Sequence, residues 1–191
     1  MSEHGTRRDL LRNLAWSATL GGLDPVLAQH VHTAVTAEKR SGAYQPKFFQ
    51  PEEWRTLVAL CERIVPGATQ ANAAEFIDLI ASENPRIAAT WTGGLQWLNR
   101  ETRRASGKAF ADAPEAAQTE QLDRIAYREK ATPETAAAVR FFDLARKMTV
   151  DAYYTSAAGI AELGYLGNQG QSEFLVPEDL VAEALKRSGL A

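Results

Sequence analysis

One cysteine and three histidines bound the chemistry open to this chain. Cys61 has no partner for an internal disulfide. With so few ligands the chain cannot build the usual Cys/His zinc cage, a two-cysteine redox motif or a c-type haem attachment. His30 and His32 are two residues apart, which does not place them on one helix face. They read as solvated residues of an exposed segment, and His4 lies in an N-terminal stretch that reads as an address. Ser156, in Tyr153-Tyr154-Thr155-Ser156, lacks a histidine base unless the His30 segment folds back onto it, so a Ser-His-Asp reading is poor. No Gly-x-Gly-x-x-Gly follows a strand and no Walker loop occurs. Gly164-Tyr165-Leu166-Gly167-Asn168 does not open a βα turn. Tyr153, Tyr154 and Tyr165 could stack on a sugar, but core or interface packing is the favoured reading. No catalytic, cofactor-binding or metal-binding residue is therefore assigned.

The elements that would hold these residues are helical. The 191 residues are 45% hydrophobic and 24% charged, with a formal net charge of −3. That suits one domain with a real core and lacks the basic footprint of a nucleic-acid binder. The spacing predicts a helix at about 51–65, opened by Pro51 and closed by Pro66-Gly67, with Trp54, Leu57, Val58, Cys61, Ile64 and Val65 on one face. Cys61 on that stripe reads as a core thiol. Further helices are expected at about 72–82 (Phe76 and Ile77 inward), 86–105 (Trp91 and Leu98), 114–126, 133–157 (Phe141, Leu144 and Met148) and 177–188. Gly93-Gly94 weakens the third of these and suggests close approach of another backbone. Arg103, Arg104, Arg140, Arg146 and Lys147 read as solvated faces or interface rims. No segment alternates as a strand. The expected fold is all-α, a compact orthogonal bundle of about six helices with an N-terminal extension and irregular Gly/Tyr-rich C-terminal loops.

The N-terminus reads as an address. Thr6-Arg7-Arg8-Asp9-Leu10-Leu11-Arg12 precedes an uncharged run from Asn13 to Leu23, too short to span a bilayer but suited to a signal-peptide core. The entry resembles a twin-arginine export signal carried by Arg7, Arg8, Leu10 and Leu11, with Thr6, Leu10 and Arg12 replacing the usual Ser, Phe and Lys. Val26-Leu27-Ala28 offers a cleavage site that would leave Gln29 first. The alternative is an amphipathic N-terminal helix with Leu10, Leu11, Leu14 and Ala18 at helical spacing. The expected division is 1–28 signal, 29–45 polar tether and 46–191 a single helical domain.

Residues 148–168 pack Tyr153, Tyr154, Gly159, Gly164, Tyr165, Gly167 and Asn168 into a short stretch. Glycines permit positive φ, and tyrosines bring large contact area with a polar tip, so the segment suggests a shaped surface that meets a partner. Here the chain resembles the gluconate 2-dehydrogenase subunit 3 family. The resemblance is carried by Met148-Thr149, Tyr153-Tyr154-Thr155-Ser156, Gly159 and Leu163-Gly164-Tyr165-Leu166-Gly167-Asn168. Phe48-Phe49, Trp54, Ile64-Val65-Pro66, Phe76-Ile77-Asp78 and Gly93-Gly94-Leu95 agree with it. The loop after Pro66 departs from it, being short and without the acidic residues of many relatives.

The resemblance implies a small subunit without flavin of its own. Its partner would be a large FAD-dependent dehydrogenase of the glucose–methanol–choline type acting on sugars, sugar acids or glycosides. Some such complexes add a c-type cytochrome. It implies that the small subunit carries the export signal and escorts the folded flavoprotein to the periplasm, chaperone-like. The residue types of the segment itself make Tyr153, Tyr154, Thr155, Ser156, Gly159, Gly164, Tyr165, Gly167 and Asn168 the expected docking residues. The alternative is an independent small exported enzyme or sugar-binding module built on the Tyr153–Ser156 loop.

Overall fold

A computed structural model describes residues 25–165 and 178–188. Among them are eight α-helices, two 3-10 turns and no strand. They are α1 (Pro25–Arg40), α2 (Pro51–Ile64), α3 (Ala73–Glu83), α4 (Pro85–Ser106), α5 (Glu115–Asp123), α6 (Ala136–Tyr154), α7 (Ala157–Glu162) and α8 (Glu178–Ser188).

The helix boundaries follow local chemistry. Pro51 occupies the first turn of α2, and Glu53 returns its carboxylate to the Gln50 N–H at 3.2 Å, half of a capping box. Asn84 caps α4 by accepting from the N–H groups of Arg86 at 3.0 Å and Ile87 at 3.4 Å, and Pro85 opens it. Gly107, at φ 76°, closes it.

The centre lies where α4 crosses α6, with α3 packed against both. Trp91 meets Phe141 edge to face at 5.5 Å, and its indole N–H points at Met148 Sδ, 3.4 Å away. Leu57, Phe76, Ile77, Trp91, Leu98, Phe141 and Met148 are buried as expected, whereas Trp54, Val58, Ile64 and Leu144 are only partly buried against the core. On α2 the inner stripe is Thr56, Leu57, Leu60 and Cys61. Trp54 lies beside this stripe, its ring stacked on Tyr44 at 5.8 Å and partly buried against the core. Burial pushes the Cys61 thiol up to about 12, as befits a core thiol.

Gly94 does not admit another backbone. It admits a ring: a Cβ there would lie 2.0 Å from atoms of Phe141.

One fully buried carboxylate organises the entry to α2. Asp78 accepts hydrogen bonds from the Tyr44 hydroxyl (2.8 Å) and from the N–H groups of Lys47 (2.7 Å), Phe48 (3.0 Å) and Phe49 (3.1 Å). Burial, then the Asp78 charge beside it, raise the Tyr44 hydroxyl far above its ordinary value.

Two expectations are corrected. Most of residues 29–45 is helix, not tether. Ala28, Val31, Ala34 and Val35 are buried, and α1 packs on α3. Their i, i+3, i+7 spacing is an apolar helical stripe whose small side chains still exclude water. The expected helix 133–157 begins later and is cut in two: α6 ends at Tyr154, and α7 starts at Ala157. Thr155 and Ser156 hydroxyls take the carbonyls of Asp151 and Tyr153, each at 2.6 Å, so side chains compete for the backbone there.

Candidate functional site

The break between α6 and α7 is held from four sides. Ser156 Oγ accepts the Gly159 N–H at 3.1 Å and so caps α7. Gly159 lies directly under the end of α6, where a Cβ would come within 2.2 Å of the Tyr153 carbonyl oxygen. The turn therefore demands glycine at this position. Gly164, at φ 63°, ends α7 in the left-handed region.

The Tyr153 ring is buried and passes 3.5 Å from where a Cβ on Gly67 would stand. Its hydroxyl donates to Glu162 at 2.5 Å, and that bond is the main reason its pKa is raised. The adjoining loop is tied by Glu62, which accepts from Gly67 N–H (2.7 Å), Thr69 N–H (3.0 Å) and the Thr69 hydroxyl (2.8 Å). Burial alone would raise the Glu62 carboxyl. The hydrogen bonds together hold it below the usual range.

The fourth side is α1. Gln29 donates through Nε2 to the Thr155 carbonyl at 2.7 Å, and His32 Nε2 lies 3.0 Å from Thr155 Oγ1. The His32 ring packs on Phe76 at 4.9 Å. Burial lowers the His32 pKa, partly offset by its bond to the Ala152 backbone. A groove of about 400 Å³ runs between α1, residues 70–72 and the start of α7, with His32, Arg40 and Ser156 among its walls.

The sequence-predicted docking residues thus divide by environment. Tyr153, Ser156 and Gly159 are buried. Thr155 is half-buried and bonded to α1. Tyr154 stays 37% exposed, standing edge-on to Tyr153 at 5.0 Å, and Tyr165 is 58% exposed. Leu163, at 62%, joins them. It was not among the predicted site residues, although it opens the Leu163–Asn168 block. Arg7, Arg8, Leu10, Leu11, Gly167 and Asn168 lie outside the described residues.

The segment 29–45 does fold back, yet it brings His32 to Thr155 rather than to Ser156. The Ser156 hydroxyl is already engaged as donor and acceptor within the turn. Among the described residues no group of three His, Cys, Asp or Glu could hold a metal ion. Nor is any helix among them long and apolar enough to cross a membrane. Chemically, the turn is a hydrogen-bonded segment with Tyr154, Leu163 and Tyr165 exposed along it.

A family model described as Gluconate 2-dehydrogenase subunit 3 matches residues 51–170. No curated protein matches the chain, and no solved structure does. The match takes in the whole α6–α7 turn and Asp78 itself, while α1 and the donors to Asp78, Tyr44 and Lys47 to Phe49, precede it.

Proposed function

The chain belongs to the gluconate 2-dehydrogenase subunit 3 family, and we propose that it acts as the non-catalytic small subunit of a dehydrogenase complex. It docks a large FAD-dependent subunit of the glucose–methanol–choline type, supports that subunit's folding, and accompanies it through twin-arginine export to the periplasm. The flavin belongs to the partner. A c-type cytochrome would be a third component.

The observation that carries the docking reading is the outer face of the turn. Tyr154, Leu163 and Tyr165 stand exposed on a backbone whose own polar groups are tied inward. Large apolar side chains on a rigid support make good anchors, because little entropy is lost when they are covered. Tyr153, Thr155, Ser156, Gly159 and Gly164 shape that support.

The test is co-expression with the large flavin subunit. Tyr154→Ala and Tyr165→Ala should each weaken association by about 1–2 kcal/mol, a hot-spot loss, while the isolated chain keeps its melting temperature. A lowered melting temperature with unchanged association would return both tyrosines to packing roles. Lysine at both Arg7 and Arg8 should retain the chain and its partner in the cytoplasm. Undiminished periplasmic activity would refute the export reading. The alternative of an independent exported enzyme predicts activity in the isolated chain. The subunit reading predicts neither flavin absorbance nor turnover until the partner is added.

A further inference from the structure

The cleavage site suggested by Val26-Leu27-Ala28 falls inside α1, not in an extended strap. Ala28 has no exposed surface, and Val31, one turn on, has none either. Gln29, on the far side of the Ala28–Gln29 bond, is exposed but tied to the α6–α7 turn, since its Nε2 bonds the Thr155 carbonyl at 2.7 Å. His32, another turn along, is held between Thr155 and Phe76. A peptidase takes its substrate extended across the scissile bond. Reaching this bond requires unwinding the first turns of α1, lifting Ala28 and Val31 out of the core and releasing Gln29 from the α6–α7 turn. Such openings are rare while the fold is complete, and cleavage through them slows by the population of the open form.

We infer that in the folded chain the Ala28–Gln29 bond is closed to a processing peptidase, so that the N-terminal segment is not removed at that bond. The inference rests on the export reading only for its biological setting, because the helical conformation of the bond and the packing of Ala28 beside it are properties of the fold alone. Twin-arginine substrates travel folded, so the bond would meet its peptidase with α1 already packed. α1 then joins two tasks: it continues directly from the export segment, and it braces the turn proposed to dock the partner.

The test is done in detergent with a purified signal peptidase, the full chain and a synthetic peptide of residues 20–36, products being read by intact mass. The expected result is that the peptide is cut between Ala28 and Gln29 while the full chain is cut there at least about tenfold more slowly. Val31→Asp, which opposes packing of α1, should restore cutting of the full chain at that bond. Cutting of the wild-type full chain at a rate within tenfold of the peptide overturns the inference. So does failure to cut either peptide or variant, since sequence rather than burial would then be the protection. None of these outcomes depends on whether the chain is exported, which the paired-lysine variant decides separately.

Discussion

The anchor at Asp78 and the turn from Tyr153 to Tyr165 are both dense in hydrogen bonds, but they face opposite ways. At Asp78 the carboxylate itself is fully buried and draws inward a tyrosine hydroxyl and three backbone N–H groups, from a segment that runs from exposed Lys47 to buried Phe49. At the turn the polar groups are equally occupied, yet Tyr154, Leu163 and Tyr165 are left outside. Single exposed apolar side chains are ordinary, as Tyr127 shows elsewhere in the chain, but three within twelve residues of a hydrogen-bonded turn fit a surface that a partner covers. The difference separates residues that make the bundle from residues that the bundle presents.

The largest effect expected from that division is at the anchor. Asp78→Ala orphans the Tyr44 hydroxyl and the N–H groups of Lys47, Phe48 and Phe49. A buried orphan such as the Phe49 N–H costs about 1–3 kcal/mol and the three part-buried donors are partly rescued by water, so the loss should be about 2–4 kcal/mol in urea unfolding. Asp78→Asn keeps acceptor capacity and should lose less. If Asp78→Ala unfolded like the wild type, the anchor would be ornamental and the contrast with the turn would collapse.

Next in size is Gly94→Ala, which drives a methyl to within 2.0 Å of the Phe141 ring. Overpacking of this kind costs about 1–3 kcal/mol or more. The same change made in a Phe141→Leu background should cost less than in the wild type. That coupling shows the ring to be the obstacle.

Ser156→Ala sharpens the comparison within the turn itself. It removes the cap of α7 and should cost about 1 kcal/mol of stability. Tyr154→Ala, two residues earlier, loses only its edge contact with the Tyr153 ring and should cost less. Equal losses would mean that the outer tyrosine packs the bundle after all.

Much of this was legible in the sequence. Proline and glycine punctuation located α2, α4 and α8 within a residue or two, because those signals act through the local backbone. Trp91, Phe76 and Phe141 declared themselves by spacing and size. What escaped were features made by tertiary meeting. The stripe on α1 is built of Ala28, Val31, Ala34 and Val35, too small to stand out among threonines and charged residues. Asp78 was visible only as a lone acid in an apolar helix, and its four donors come from residues some thirty positions earlier. The split between α6 and α7 depends on Thr155 and Ser156 capturing carbonyls, which a helical periodicity running through Met148 and Ala152 conceals.

The smallest effect concerns the neighbour of Gly94. Gly93 is exposed, and a Cβ built on it meets nothing within 4 Å. The two glycines look alike in sequence and differ in kind: one is required by the Phe141 ring, and nothing within the chain requires the other. A glycine in a helix interior costs about 0.8–1 kcal/mol relative to alanine. Gly93→Ala should therefore stabilise the isolated chain by up to about that amount, seen as a rise in melting temperature. The gain should appear whether or not Gly94 is altered, since the two positions share no contact partner. If Gly93→Ala is instead destabilising, an unseen demand for glycine exists at this face of α4. The division between fold-making and presented residues would then have to be redrawn there first.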